Sequence, residues 1–271
     1  MKVITSKDNP KVKAAIKVRR GKDRNNIFVE GRRLAEEALS SGIPVRAAFF
    51  SSGFLSAEEN LSLATVISRG PTPAFELDDK LFHSLADTAS PQGIVLICSR
   101  PVAALEDLAA QAPPLPVTVF LDRASNPGNL GAILRTTEAA GATGVITSAG
   151  SVDAFSPAVL RGSMGASFRV PVAEKVPEAQ AFDWARRKGL KVIVAASDAV
   201  KSYLEADLTS PSLIVFGSEA HGTSPAAMEA ADEKIMIPME NGVESLNLAV
   251  SAGIVLFEAR RQAAAVSTQG A

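Results

Sequence analysis

The stretch that decides the fold is Leu121–Arg135, which reads LDRASNPGNLGAILR. It follows an apolar run, 116–121, typical of a buried strand, and it continues into a predicted helix. A motif between a strand and a helix lies at the carboxyl end of that strand, the edge where open α/β sheets bind ligands. Its glycines allow close backbone approach, Asn126 and Asn129 offer amide groups, and Arg135 adds a permanent positive charge. The stretch therefore predicts a site for an anionic or polar ligand.

Strands and helices alternate on both sides of this stretch, which predicts an α/β protein. Residues 1–100 form a smaller α/β unit, and the proline-rich segment 101–116 is typical of a semi-rigid linker. Residues 117–271 form a mainly parallel sheet with helices on its faces. Predictions in this alternation include a helix at 57–68, a helix-compatible segment at 104–111, a strand at 168–172 and a final helix at 246–262.

The charge of the chain is unevenly distributed, although its formal net charge is only −1. Residues 1–33 hold eleven Lys or Arg against three Asp or Glu, a local net charge of +8 that leaves −9 for the remainder. Lys11, Lys13, Lys17, Arg19 and Arg20 are expected to project from a helix that Asp8 or Asn9 caps. Such a basic segment indicates a surface for phosphate groups, or simply a solvated helix face.

Composition excludes several classes of protein. The apolar runs are too short for a membrane span and the first residues lack a signal-peptide core, so we expect a soluble, cytoplasmic protein. Cys98, the single cysteine, is expected to be buried and rules out an internal disulfide and a cysteine-based metal site. The chain contains no Gly-x-Gly-x-x-Gly and no phosphate-binding Gly-x-x-x-x-Gly-Lys motif, which disfavours a dinucleotide oxidoreductase or an NTPase. His83 is interpreted as a packing or surface histidine.

Two further loops follow predicted strands. The second loop, 214–222, reads IVFGSEAHG, in which Glu219 could cap a helix, bind a hydroxyl group or be solvated, and His221 is interpreted as a loop residue rather than a base. The third loop, 237–251, contains the turn signal Asn241-Gly242, then Ser245 and Asn247 where a helix cap would lie. All three loops are expected to form one pocket.

The three motifs together resemble the SpoU/TrmH family of RNA ribose 2′-O-methyltransferases. They occur in the family's order at 126–135, 214–222 and 237–247, and Phe28-Val29-Glu30-Gly31 resembles the ribosomal-protein-like domain with which several members bind RNA. The resemblance implies S-adenosylmethionine as methyl donor, a 2′-hydroxyl of RNA as acceptor, a homodimer, and a C-terminal segment that forms a trefoil knot. No metal is expected.

The resemblance also assigns roles to residues. Arg135 corresponds to the family's catalytic arginine, and Asn129, Glu219, Ser245 and Asn247 are implied to line the reaction site. Gly217, Ile237 and Leu246 match the positions that bind the cofactor, largely through backbone groups. Ala220 stands where many members have glycine, which puts the shape of that loop in question. Arg161 is a second candidate for phosphate binding, or a surface arginine near a subunit boundary.

Three functions follow as hypotheses. The first is a ribose 2′-O-methyltransferase, with ribosomal RNA preferred over transfer RNA because the added N-terminal domain resembles that of ribosomal-RNA enzymes. The second is an RNA-binding protein of the same fold that has lost turnover. The third is a methyltransferase for a small molecule, which the basic segment disfavours.

Overall fold

The computed structural model describes residues 1–101, 103–109, 115–218 and 222–269 of the 271-residue chain. Its contacts divide it into two compact units. The first unit comprises Met1–Pro101 and Phe155–Phe168, and the second comprises Val102–Ala154 and Arg169–Ala271. The sequence-based boundaries place residues 155–168 with the C-terminal domain instead. Part of the predicted linker, residues 102 and 110–114, lies outside the described residues.

The elements follow one another in regular alternation. In chain order they are β1 (Lys2–Ile4), α1 (Pro10–Arg19), β2 (Asn26–Glu30), α2 (Arg32–Ser40), β3 (Val45–Ser51), α3 (Ser52–Ser56), a 3-10 helix (Glu58–Asn60), α4 (Leu61–Arg69), β4 (Ala74–Leu77), α5 (Asp79–Leu85), β5 (Ile94–Ser99), a 3-10 helix (Leu105–Ala109), β6 (Val117–Leu121), α6 (Pro127–Ala140), β7 (Gly144–Ser148), α7 (Pro157–Ser163), a 3-10 helix (Ala166–Phe168), β8 (Val172–Val176), α8 (Glu178–Arg187), β9 (Lys191–Ala195), β10 (Lys201–Ser202), β11 (Ser212–Phe216), α9 (Pro225–Ala230), β12 (Glu233–Met236) and α10 (Leu248–Gln269).

The first unit is built on a mixed five-stranded sheet with the strand order β1-β4-β3-β5-β2. Strand β5 is antiparallel to β2 and β3, whereas β4 is parallel to β1 and β3. Aromatic side chains dominate one buried cluster, where Phe28, Phe49, Phe75 and Phe82 pack together with the apolar side of α1. Large aromatic side chains bury much apolar area each, and this burial stabilises the small unit.

The second unit is built on a seven-stranded sheet with the order β10-β12-β9-β11-β6-β7-β8, and every pairing in it is parallel. All five residues of β6, β7 and β11 are buried, as expected for central strands of a parallel sheet flanked by helices. Phe120 and Trp184 are among the large side chains of its core. The α/β class and the parallel C-terminal sheet are confirmed.

Several predicted elements differ in position. The strand predicted at 168–172 begins at Val172, because the preceding residues form a 3-10 helix in which the Phe168 N–H donates to the Gly165 carbonyl at 3.0 Å. The helix predicted at 57–68 begins at Leu61, after a separate 3-10 helix. The segment 104–111 contains a 3-10 helix at Leu105–Ala109, and its last two residues are not described. The final helix begins at Leu248 and ends at Gln269.

None of the helices within the described ranges combines the length and the apolarity that crossing a bilayer requires.

Candidate active site at the carboxyl edge of the parallel sheet

The three loops singled out in the sequence leave the carboxyl ends of β6, β11 and β12. Strands β6 and β11 are neighbours in register, with Leu121 beside Phe216. Directly beyond this pair, the Asp122 N–H donates to the Phe216 carbonyl at 3.0 Å. The first two loops therefore start side by side, at the edge where parallel sheets bind ligands.

A buried carboxylate fixes the start of the first loop. Asp122 is fully buried and accepts hydrogen bonds from the Ser148 hydroxyl at 3.1 Å and from the Arg123 Nη2 group at 3.0 Å. This pairing raises the pKa of Arg123, mainly through the hydrogen bond. The sequence reading did not single out Asp122, since an acidic residue at a strand end gives no signal of its burial. A buried charge persists only when it is paired, so Asp122 holds the loop in one conformation.

Helix α6 then presents Asn129 and Arg135. The Asn126 side chain caps it by accepting hydrogen bonds from the Gly128 N–H at 2.8 Å and the Asn129 N–H at 3.3 Å, and Pro127 occupies the first turn. Arg135 is exposed, and within the described ranges no ion pair or hydrogen bond of its guanidinium is recorded. Its five N–H donors are therefore available to an anion.

Asn247 joins the third loop to the first. Its Nδ2 group donates to Asn129 Oδ1 at 3.0 Å, although 118 positions separate the two residues. The Asn247 Oδ1 atom accepts the Ala249 N–H at 2.9 Å and so caps helix α10, which packs against α6. The predicted capping role is thus confirmed for Asn247, and two of the predicted site residues are in contact.

The cap gives a testable expectation for Asn247. Asn247→Ala should lower the free energy of unfolding by about 1 kcal/mol, because the Ala249 N–H loses its acceptor. Asn247→Asp keeps the acceptor and places a negative charge at a helix N-terminus, so it should retain most of that stability. Urea denaturation of both variants and the wild type measures the difference. Equal stability of Asn247→Ala and the wild type would show that the cap contributes nothing.

The second loop closes tightly on Gly217. The Ser218 N–H donates to the Gly222 carbonyl at 2.8 Å, and the Gly222 N–H donates back to the Ser218 carbonyl at 3.0 Å. A Cβ atom at position 217 would lie 2.3 Å from the Gly222 carbonyl carbon and 2.4 Å from the Thr223 nitrogen. Only glycine therefore fits at position 217 in this loop conformation. Glu219, Ala220 and His221 lie outside the described residues, so their predicted roles stay predictions.

The third loop, 237–247, is irregular and largely exposed. Asn241 and Gly242 adopt φ angles of 56° and 71°, which confirms the predicted turn. Residues 237–246 are all described. Within them one backbone hydrogen bond is recorded, from the Val243 N–H to the Glu240 carbonyl at 3.2 Å. Ser245 and Leu246 are exposed and Ile237 is half-buried, so their backbone groups can reach a ligand.

The remaining candidates belong to the first unit. His83 is exposed on α5. Cys98 is buried, and burial raises the pKa of its thiol to about 12, so it stays protonated and unreactive.

The two candidate arginines of the first unit both have partners. The Arg161 Nη1 group pairs with Asp87 Oδ2 at 2.9 Å. Arg19, predicted to project, turns inward and donates to the Leu85 carbonyl at 2.7 Å, which caps α5.

Family models match both parts of the chain. The model described as the SpoU rRNA Methylase family matches residues 116–257, and the model described as the MRM3-like substrate binding domain matches residues 9–96. The first match spans the three loops and all seven strands of the parallel sheet.

Individual relatives are similar over nearly the whole length. The 23S rRNA (guanosine(2553)-2′-O)-methyltransferase RlmP of Bacillus subtilis is 30% identical over 263 residues, with 96% of this chain and 100% of that protein covered. An uncharacterized tRNA/rRNA methyltransferase of Synechocystis is 32% identical over 271 residues, with 98% and 96% covered. A crystal structure of an AdoMet-bound rRNA methyltransferase from Sinorhizobium meliloti has a TM-score of 0.84 at 30% identity, with 96% and 97% covered. The motifs, the architecture and these matches agree, and the chain belongs to the SpoU rRNA methylase family.

Proposed function

We propose that the protein transfers a methyl group from S-adenosylmethionine to a ribose 2′-hydroxyl of ribosomal RNA. The observation that carries this proposal is the convergence of the loops. Asn129 and Asn247 are 3.0 Å apart, and the Asp122 N–H ties the first loop to the strand that precedes Gly217. The Bacillus subtilis relative named as a 23S rRNA 2′-O-methyltransferase matches 96% of this chain. A cytoplasmic location is proposed with the substrate, and cell fractionation that placed the protein elsewhere would contradict it.

The residues of the second and third loops fit the cofactor. The backbone of Gly222 and Thr223 fills the space beside Gly217, so a side chain at this position would displace the second loop from the conformation in which we propose it binds the cofactor. The exposed third loop supplies backbone N–H and C=O groups at Ile237 and Leu246 that a nucleoside can bind. When bound, S-adenosylmethionine supplies an electrophilic methyl group on a sulfonium.

The acceptor presents the chemical difficulty, because a ribose hydroxyl is a weak acid. Its proton must leave as the new C–O bond forms and the C–S bond breaks. Arginine is a poor base, with a pKa above roughly 12 in proteins. In the mechanism we propose, Arg135 therefore holds a phosphate oxygen next to the target ribose, and this arginine–phosphate pair holds the hydroxyl in line and helps take its proton. The fork of guanidinium donors fixes that oxygen in line with the hydroxyl.

The other predicted residues serve positioning. Asn129 is held by Asn247 and lies on the same helix as Arg135. Ser245 lies two residues before the cap of α10, where its hydroxyl orients the ribose or the guanidinium. Glu219 is assigned a second hydroxyl of the substrate. A rate for Ser245→Ala or Glu219→Gln equal to that of the wild type would remove these assignments.

The first unit is proposed to bind the RNA. Lys11 and Lys17 on α1 and Arg20 at its C-terminal cap are exposed, whereas Val12, Ala15 and Val18 are buried. Cationic contacts to phosphates release counterions, so the affinity for RNA should fall steeply as salt rises. An affinity independent of salt would contradict this role of the basic segment.

We also propose a homodimer. Helix α10 exposes apolar side chains about two turns apart, with Val250 50% and Phe257 51% exposed, and a second copy would bury them. Sedimentation at the concentration of the methylation assay tests this, and a single species of 28.2 kDa would contradict it.

The trefoil knot implied by the family likewise remains a proposal. The chain leaves β12, passes through the third loop and returns as α10 to pack against α6. The threading of this segment through another loop can be tested by tracing an experimentally determined backbone, and an unknotted trace would end the proposal.

The decisive test of function uses labelled cofactor. Ribosomal RNA from a strain that lacks this protein is incubated with the purified protein and methyl-labelled S-adenosylmethionine, then digested to nucleosides. We expect the label in one 2′-O-methylated nucleoside. Label in a base would contradict the proposed acceptor, and transfer only to transfer RNA would change the substrate class. RNA binding without any transfer would favour a protein of this fold that has lost turnover.

A further inference from the structure

A cavity of about 370 Å³ lies within the first unit, where β2 ends and α2 begins. Leu34 and Met164 contribute apolar side chains to its lining. Its polar lining groups include the two cations of Arg33 and Arg161, the amide of Gln92 and the carboxylates of Glu30 and Glu37. Its volume lies toward the lower end of the range for small-molecule pockets, about 300–1,000 Å³. Its described lining residues include none of those proposed above for methyl transfer.

A buried carboxylate organises one wall of the cavity. Glu30, only 5% exposed, accepts the Asp87 N–H at 2.6 Å and the Thr88 N–H at 3.3 Å, and the Thr88 hydroxyl also donates to it. Asp87 in turn holds Arg161 through the Nη1 group at 2.9 Å. No further hydrogen bond of this guanidinium is recorded in the described part of the chain, so its other N–H groups can bind a ligand. Arg161 is thus fixed in place before any ligand arrives.

Gln92 is held in a similar way at the start of α2. Its Oε1 atom accepts the Arg32 N–H at 2.8 Å, at the N-terminus of that helix. Gly31 has a φ angle of 103°, and a Cβ atom there would lie 2.9 Å from the same Oε1 atom. With its oxygen engaged by the helix, Gln92 keeps its amide N–H groups as donors for the cavity.

Met164 adopts a backbone conformation that its side chain does not favour. Its φ and ψ angles are 52° and 39°, in the left-handed region that glycine or asparagine enters at lower cost. The next residue, Gly165, has a φ angle of 90°, and a Cβ atom there would lie 2.7 Å from Glu37 Cβ. Strain of this kind concentrates at binding sites, where the surrounding structure compensates for it. Here it places a thioether at the lining of the cavity.

We propose that this cavity takes one unstacked base of the RNA substrate and that Arg33 and Arg161 bind the phosphates beside it. The proposal rests on the function proposed above. Arg33 is exposed, belongs to the basic segment, and forms no recorded ion pair in the described residues. Single-stranded RNA is recognised by bases that leave the stack, contact apolar or guanidinium surfaces and form hydrogen bonds along their edges. Apolar lining, amide donors and two cations together match a nucleotide.

Filling the cavity tests the proposal. Leu34→Trp places a larger apolar side chain in it without a change of charge. With a full-length 23S ribosomal RNA transcript as the probe, KM for RNA should rise about tenfold, the order expected for one lost base contact, while kcat and the affinity for S-adenosylmethionine stay unchanged. Val66→Trp, at a position 65% exposed on α4 of the same unit, is the matched control and should leave KM at the wild-type value. A wild-type KM for Leu34→Trp would overturn the proposal.

A second measurement avoids any dependence on how Leu34→Trp folds. The wild-type protein is irradiated with the same transcript containing 4-thiouridine, and crosslinked peptides are identified by mass spectrometry. Crosslinks within residues 31–37 or 159–165 are expected. Substitution of the exposed Gln92 in the variant Gln92→Ala should reduce their yield. Crosslinks confined to other segments would overturn the proposal. Crosslinking needs no methyl transfer, so it tests RNA binding at the cavity independently of activity. Failure of the wild-type protein to methylate this RNA would instead count against the proposed function.

Discussion

Arg135→Lys should lower the rate of methyl transfer by about 100-fold or more, because lysine presents one ammonium where arginine presents a fork of donors. Loss of one preorganised donor to a transition-state charge costs on the order of 10²–10³ in rate. Arg135 is exposed and makes no recorded contact in the described chain that stabilises the fold, so the melting temperature should not change. Single-turnover methylation of ribosomal RNA at saturating cofactor measures the effect.

The control for Arg135→Lys is Arg260→Lys, which exchanges the same residue types at an exposed position on α10. It should retain the wild-type rate. The affinity of Arg135→Lys for S-adenosylmethionine, measured by calorimetry, should also match that of the wild type, since the cofactor is assigned to other loops. A rate near the wild-type value for Arg135→Lys would remove the need for a bidentate contact and, with it, the proposed role of the phosphate.

Gly217→Ala should weaken the binding of S-adenosylmethionine by more than about tenfold. The added Cβ atom would lie 2.3–2.5 Å from backbone atoms of Gly222 and Thr223, so the second loop must shift as a whole. Backbone atoms cannot avoid a clash by rotating, as a flexible side chain does. The loop is therefore displaced, and a displacement of about 1 Å at a binding site can cost about 100-fold in rate. Calorimetric titration of the cofactor into the variant measures the loss directly.

Gly253→Ala provides the matched control for Gly217→Ala. A Cβ atom at position 253, within α10, would approach Thr136 Cγ2 at 3.9 Å, an ordinary van der Waals contact. In a helix this exchange should raise the free energy of unfolding by roughly 0.5–1 kcal/mol and leave cofactor affinity unchanged. Cofactor binding by Gly217→Ala at wild-type affinity would show that the second loop does not form the cofactor site.

The sequence predicts best those features that neighbouring residues determine. The apolar run at Val117–Leu121 is a buried strand within the bounds expected, and the helix after it begins at Pro127 because Asn126 supplies its cap locally. Turn chemistry at Asn241-Gly242 is likewise a local property. Such features need no knowledge of distant contacts, so pattern reasoning recovers them.

Individual contacts between distant residues were not predicted, although the three loops were expected to meet. Strand β10 has two residues and exists through its pairing with β12, and β1 depends in the same way on β4. Arg19 turns inward because carbonyl groups at 85 and 86, far along the chain, need a donor. The burial of Asp122 and the 3.0 Å bond between Asn129 and Asn247 also follow from the packing of the second unit. No local pattern encodes these contacts.

The most direct test is a crystal structure of the protein with S-adenosylmethionine and a short RNA that contains the methylated nucleotide. We expect the cofactor against the loops after β6, β11 and β12, with its adenosine at Gly217 and the Arg135 guanidinium on the phosphate next to the acceptor ribose. Cofactor density away from these loops, or an Arg135 side chain directed away from the RNA, would contradict the account.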